Sequence, residues 1–190
     1  DLHSFPTRRS SDLPTDILVT AAHKPLCDAP AIGIGNKPVD GGHYLFTRTQ
    51  MEAFLREEPN ARTLFRPWYG TYEFVHRRPR YCLLLRDIPD DLLAQLPRCR
   101  ERIEAVRAFR LRSNSPGTVK LAEHPTHFHV TNIPTSTYLL IPEVTSKARD
   151  YIPIGFMDPH NLASSLVRII AGASLYHFGV LTSRTHMLGW

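Results

Sequence analysis

The chain has 190 residues, 42% hydrophobic and 22% charged, with 10 glycines and 16 prolines, which is the composition of one ordinary globular domain rather than two sizeable enzymes. No stretch reaches the roughly 18 uncharged apolar residues of a membrane span; the most apolar run, 165–181, is interrupted by Arg168 and His177. The formal net charge is +5, and where that charge sits matters more than its sum.

Residues 1–13 differ in character from the rest, and Ser4-Phe5-Pro6-Thr7-Arg8-Arg9-Ser10-Ser11-Asp12-Leu13 resembles a translated sequencing adapter. No apolar core follows the arginines, so it is no secretory signal. Residues 14–31 contain Pro14, Pro25 and Pro30 and read as a tail or linker. Ile32–Gly42 predicts a short strand followed by a turn-rich loop. Thr47 is placed as an N-cap for a helix through Glu57–Glu58, with Met51, Phe54 and Leu55 on one face. Pro59-Asn60 stops it, and a short second helix holds Leu64 and Phe65.

Tyr72–His76 and Tyr81–Arg86 are β-rich runs around Arg77-Arg78-Pro79-Arg80, which predicts a hairpin with a basic tip. Its aromatic residues, Trp68, Tyr69, Tyr72, Phe74 and Tyr81, interleave with Arg66, Arg77, Arg78 and Arg80. Such a mixture is either a base-stacking surface for single strands or a hairpin packed on a core with snorkelling arginines; burial statistics favour the core. Asp90–Gln95 predicts one or two helical turns.

The strongest predicted helix is Arg98–Arg112. At 100° per residue Cys99, Ile103 and Val106 form an apolar stripe that Arg110 shares. A buried guanidinium needs a carboxylate, a carbonyl or a phosphate opposite it. An internal pair to Asp87 or Asp90 and a contact to DNA are equally open. Between Arg98 and Lys120 seven cations face Glu101 and Glu104, leaving a local +5 that equals the charge of the whole chain. Only four of the 23 basic residues are lysine; such an arginine share either reflects genome base composition or serves planar recognition of phosphate or guanine. Further strands are predicted at Tyr138–Val144, Tyr151–Phe156 and Arg168–Ile170. An apolar stretch, Tyr176–Leu181, turns helical near Thr182. Strands and helices come in blocks rather than in a βαβα rhythm, which predicts an α+β fold of mixed strands and helices.

Several chemistries are excluded by inspection. The chain has no Pro-Pro pair, so it lacks the Asp/Asn-Pro-Pro-Tyr/Phe loop of amino-methyltransferases. No lysine has an acid two residues before it, which removes the common nuclease core. Gly33-Ile34-Gly35 continues as Asn36-Lys37-Pro38 and breaks the dinucleotide fingerprint. There is no P-loop and no G-x-S-x-G elbow. Cys27, Cys82 and Cys99 form no C-x-x-C pair, which argues against a disulfide scaffold or a thiolate zinc site and fits a reducing cytoplasm. His124-Pro125-Thr126-His127-Phe128-His129 invites a metal site, because an extended backbone would point His127 and His129 to one side. Further ligands would have to come from Glu123 or His177, and short histidine patches are mostly solvated loops.

Four stretches taken together carry a resemblance. They are Ile34-Gly35-Asn36-Lys37-Pro38-Val39-Asp40-Gly41-Gly42, Arg102–Arg110, Tyr151-Ile152-Pro153-Ile154-Gly155-Phe156, and Leu175–Met187 with Tyr176-His177-Phe178-Gly179 at its start. In this order they resemble the target-recognition region of MmeI-type restriction–modification enzymes and related class I, S-adenosylmethionine-dependent, adenine-specific DNA methyltransferases. The resemblance covers about residues 32–190. It implies a double-stranded DNA recognition module, truncated at both ends, whose catalytic and cofactor-binding parts lie upstream on the same polypeptide. The implied domains are a non-native segment at 1–13, a linker and methyltransferase junction at 14–42, and the recognition domain at 43–190.

The same resemblance implies no catalytic residue, no metal and no cofactor in this chain. S-adenosylmethionine, and magnesium where DNA is also cut, would belong to the parent, in the cytoplasm. Arg107, Arg110, Arg112 and Lys120, on the basic helix and the loop after it, are the expected DNA contacts. Ser146, Lys147 and Arg149 form a second expected cluster, where the family pattern has Val-Ser-Ser followed by Arg and this chain has Val144-Thr145-Ser146 and Arg149. Two readings from other classes remain as alternatives: a metal-dependent hydrolase using His124, His127 and His129, and a single-strand-binding protein using the aromatic–arginine segment.

Overall fold

A computed structural model describes residues 28–146, 149 and 151–183. The adapter-like segment 1–13, most of the expected linker, and Lys147 lie outside the described residues.

Thr47 starts α1 (Arg48–Glu57) as expected. Its hydroxyl accepts the Gln50 amide N–H at 3.3 Å, and the Gln50 side chain accepts the Thr47 N–H at 2.8 Å. This reciprocal box satisfies two otherwise orphaned donors. Pro59 then forces a 3-10 turn, Pro59–Leu64. Phe65 begins a strand rather than ending a helix, because its ring belongs to an edge-to-face trio with Phe46 and Phe54, centroids 5.1–5.6 Å apart.

Two four-stranded sheets divide the fold. In the first, β1 (Gly33–Ile34), β8 (Val167–Ala171), β5 (Tyr138–Pro142) and β6 (Gly155–Met157) lie in that order, all antiparallel. In the second, β2 (Leu45–Phe46), β4 (Arg80–Leu83), β3 (Phe65–Tyr69) and β7 (Leu162–Ala163) lie in that order, with only β3 and β7 parallel. Among the described residues six α-helices complete an α+β architecture: α1, α2 (Thr71–His76), α3 (Asp90–Ala94), α4 (Pro97–Leu111), α5 (Pro116–Lys120) and α6 (Leu175–Thr182). The larger core lies between α1, α4 and the second sheet and contains Tyr44, Phe54, Trp68, Leu85, Leu96 and Val106.

The expected hairpin around Arg77–Arg80 does not form. Tyr72–His76 is helical because Glu73 folds its carboxylate back onto the N–H of Gly70 at 2.9 Å and pairs with Arg80 at 2.8 Å. These contacts start α2 and tie it to β4. Arg77 ends α2 in the left-handed conformation, φ 54 and ψ 37. Strands β3 and β4 still pair antiparallel, with a helix between them in place of a tight turn. Likewise Tyr151–Pro153 is not a strand, and only Gly155–Met157 joins the sheet.

Residues 33–40, expected in the junction outside the recognition domain, are woven into the fold. Gly33 and Ile34 pair with Ile169 and Arg168. The fully buried Asn36 side chain donates to the carbonyls of Asn132 and Ala163, both at 3.0 Å, and accepts the Asn132 N–H at 2.8 Å. Gly35 lies so close to the 163–164 backbone that a Cβ would fall 2.2 Å from the Ser164 carbonyl oxygen. Only glycine permits that approach.

Candidate nucleic-acid interface

Helix α4 is the longest described helix, and it buries Cys99, Ile103, Val106 and Arg110 as its stripe predicts. Its first amides are capped from outside. The buried carboxylate of Glu58 accepts the N–H of Arg98 at 2.8 Å and that of Cys99 at 3.1 Å, which satisfies both donors and complements the positive end of the helix dipole.

The cations of this helix do not form one stripe. Arg98 pairs with Glu57 at 2.8 Å and Glu101 at 2.7 Å. Arg102 lies over the Phe46 ring, 5.0 Å from its centroid, a cation–π contact. Arg107 and Arg112 are exposed, but five residues of helix set them about 140° apart around the axis. Arg112 also folds back to donate to the Ala108 carbonyl at 3.1 Å. Lys120 is exposed at the end of α5. Among the described residues no carboxylate pairs with Arg107, Arg112 or Lys120.

Arg110 corrects an expectation. It is fully buried and its guanidinium makes five hydrogen bonds, all to main-chain carbonyls. Nε donates to Val39 at 2.9 Å. One terminal nitrogen donates to Leu121 and His124 at 2.9 and 3.0 Å, and the other to Pro38 and His127 at 2.9 and 2.8 Å. Every N–H of the guanidinium is used, so nothing is left for phosphate or base. The anticipated internal carboxylate is absent too, since Asp87 faces Arg86 instead. Burial lowers the pKa of Arg110, partly offset by Tyr44 and Asp40.

That arrangement also decides the histidine cluster. Two of Arg110's acceptors are the carbonyls of His124 and His127, so the segment is wound around a guanidinium rather than extended. Phe128 turns inward, 6% exposed, with its ring edge-on to Trp68. The turn at 124–127 and the inward Phe128 leave His127 half-buried and His129 exposed. Among the described residues no group of three His, Cys, Asp or Glu can hold a metal ion.

The aromatic–arginine segment is mostly core, as burial favoured. Trp68 is 2% exposed, Arg80 is tied to Glu73, and Arg66 donates to the carbonyls of Pro159 and His160. Tyr72, Arg77 and Arg78 remain exposed.

A second locus forms where this segment meets the loop after β5. Ser146 and Arg149 are exposed there, joined by a main-chain hydrogen bond from the Arg149 N–H to the Ser146 carbonyl at 3.1 Å. Arg149 stands between two clefts. One, of about 290 Å³, brings it beside Ser146, Tyr72 and His76; the other, of about 610 Å³, brings it beside Arg77, Phe156 and Asp158. Sequence reasoning did not connect Arg77 with Arg149. They are far apart in the chain, and they share a cleft only because α2 replaces the expected hairpin.

The geometry thus offers exposed cations on different sides of α4 and a further basic site at Arg149, on a well-packed scaffold. A family model described as the MmeI target recognition domain matches residues 14–190. The chain belongs to that family. Another similar protein is DNA methyltransferase A of Bacillus subtilis (strain 168), 36% identical over 172 residues, covering 90% of this chain and 20% of that protein. The fold is also similar to a solved structure of the Type IIL restriction–modification enzyme MmeI in complex with DNA. There the TM-score is 0.85 at 34% identity, with 91% of this chain and 23% of that chain covered. The chain spans about a fifth of the length of the curated relative it matches.

Three of the four stretches that carried the resemblance gain physical reasons here. Gly35 and Asn36 lock β1 against β7. Gly155 lets the Phe74 ring lie against β6, where a Cβ would come within 2.9 Å of it. Arg110 gathers the chain on both sides of α4. No helix of the described residues is long and apolar enough to cross a membrane.

Proposed function

We propose that this chain is the part of a bacterial adenine-N6 DNA methyltransferase, of the restriction–modification type, that grips duplex DNA and selects its sequence. Its membership of a target recognition family across residues 14–190 carries the reading. The exposed cations that no described carboxylate neutralises support it: Arg107, Arg112 and Lys120 on and just after α4, and Arg149 in the loop after β5, where Ser146 and Lys147 are proposed to join it.

The module would hold the double helix while a methyltransferase domain upstream on the same polypeptide turns an adenine out of the stack. That domain would bind S-adenosylmethionine, with magnesium needed where the parent also cuts, and the protein would work in the cytoplasm. Phosphate contacts supply affinity and register, whereas a bidentate arginine on guanine adds roughly 1–3 kcal/mol of discrimination.

Equilibrium titration of the chain with labelled duplex DNA over a series of salt concentrations tests this. The expected result is tighter binding to duplex than to single strands, with a log–log salt slope of about −0.9 per phosphate neutralised. A flat salt response, or a preference for single strands, would overturn it.

A further inference from the structure

We propose that the cleft between α2 and β6 is a clamp for one backbone phosphate of a bound duplex, closed by Arg77 from one wall and Arg149 from the other. The inference rests on the duplex-binding reading above and adds a residue, Arg77, to which that reading gives no role.

The cleft is part of the fold rather than an accident of a loop. Gly155 permits the Phe74 ring of α2 to rest on β6, which fixes one wall against the other. Tyr69, Ile154 and Met157 continue the lining. At about 610 Å³ it admits a phosphodiester with parts of its flanking sugars. Arg77 ends α2 at φ 54 and ψ 37, a conformation that costs a non-glycine residue roughly 1 kcal/mol. Glycine is the usual occupant of such a helix end, so the fold bears a penalty that places a guanidinium there.

Charge and chemistry point to an anion. Neither arginine has a carboxylate partner among the described residues, although both line one cleft. Asp158 also lines it, but one of its oxygens already accepts the His160 N–H at 2.8 Å. One partly engaged carboxylate therefore faces two cations. Among the described residues strand β6 pairs only with β5, and an edge strand leaves a row of main-chain N–H and C=O groups outside its sheet. Phe156, 37% exposed, offers an apolar surface beside the charges, suited to the sugar adjoining a phosphate.

The test uses the chain itself and two duplexes of equal length and unrelated sequence, each titrated over a salt series. Arg77→Gly removes the guanidinium and relieves the left-handed strain, so the fold is retained; Arg149→Ala acts on an exposed loop. Each single variant is expected to reduce the magnitude of the salt slope, and the double variant by about 0.9 in all, the share of one phosphate; a double-variant loss of about 1.8 would mean two phosphates and overturn the single-phosphate clamp. The reductions should be the same for both duplexes, and Arg77→Lys should keep the slope of the unaltered chain. If that chain shows salt-dependent duplex binding that neither Arg77→Gly nor Arg149→Ala changes, the clamp is wrong while the DNA-binding reading stands. A loss confined to one duplex would make these residues base readers and equally overturn the phosphate assignment. If the unaltered chain prefers single strands or ignores duplex, the underlying reading falls and the clamp with it.

Discussion

The guanidinium of Arg110 donates to the carbonyl of Val39 at 2.9 Å, and Val39 itself sits at φ 52. A β-branched residue in the left-handed region is a strained outlier. Here its carbonyl is held by an arginine reaching out from the far end of α4. The same guanidinium binds Pro38, Leu121, His124 and His127. One side chain thus ties α4 to the turn before β2 and to the whole histidine loop.

Removing that side chain should cost far more than a surface cation would. Arg110→Ala leaves the carbonyls of Pro38, Val39 and His127 without this donor, while those of Leu121 and His124 keep a main-chain N–H, and each unsatisfied buried group costs about 1–3 kcal/mol before relaxation. A loss of at least about 3 kcal/mol is expected in urea unfolding, with Arg110→Lys intermediate because an ammonium has only three donors. A change below about 1 kcal/mol would show that the loop is held by other contacts.

Alkaline conditions should destabilise the fold. Burial pushes the thiols of Cys82 and Cys99 and the phenols of Tyr44 and Tyr138 well above their ordinary values. The unfolded chain releases these protons near about pH 8.5 for thiols and about pH 10 for phenols, while the folded chain keeps them. Above those values the unfolded state binds fewer protons, so stability falls as pH rises. The limiting slope is about 1.4 kcal/mol per pH unit for each group. Urea midpoints measured from neutral pH upward should decline progressively. Tyr44→Phe should flatten the decline above about pH 10; a level profile would contradict the burial of these groups.

Two glycines should respond in opposite ways. Gly35→Ala drives a methyl into the Ser164 carbonyl, a backbone obstacle that cannot rotate away, and should cost more than about 2 kcal/mol. Gly179→Ala, within α6, meets nothing within 4 Å and should stabilise by up to about 1 kcal/mol through helix propensity. Thermal unfolding of the two variants distinguishes them, and equal shifts would refute the packing described at β1.

Local signals made α1 and α4 legible. Thr47 with Gln50 is a capping pair that needs no tertiary context, and the spacing of Cys99, Ile103 and Val106 names the buried face. The stripe even placed Arg110 inside and required a partner for it. The partners themselves were not legible, because main-chain carbonyls carry no side-chain signature. Segment 71–76 misled for a related reason. Tyr72, Phe74 and His76 alternate like a strand, while the helix is set by Glu73 acting on Gly70 and Arg80. With α2 misread, the approach of Arg77 to Arg149 was invisible, since it depends on how two sheets and a helix pack. Family-level patterns carried further: the stretches around Gly35, Arg110 and Gly155 were visible as strings, although their geometric purpose appears only in the fold.

Hydrogen–deuterium exchange of the chain with and without saturating duplex DNA tests the central claim most directly. Amides in the 143–146 and 151–157 segments and in 112–120 should exchange more slowly when DNA is bound, while those of α1 and α3 keep their rates. Protection confined to α1 and α3, or no protection in either basic locus, would contradict the account.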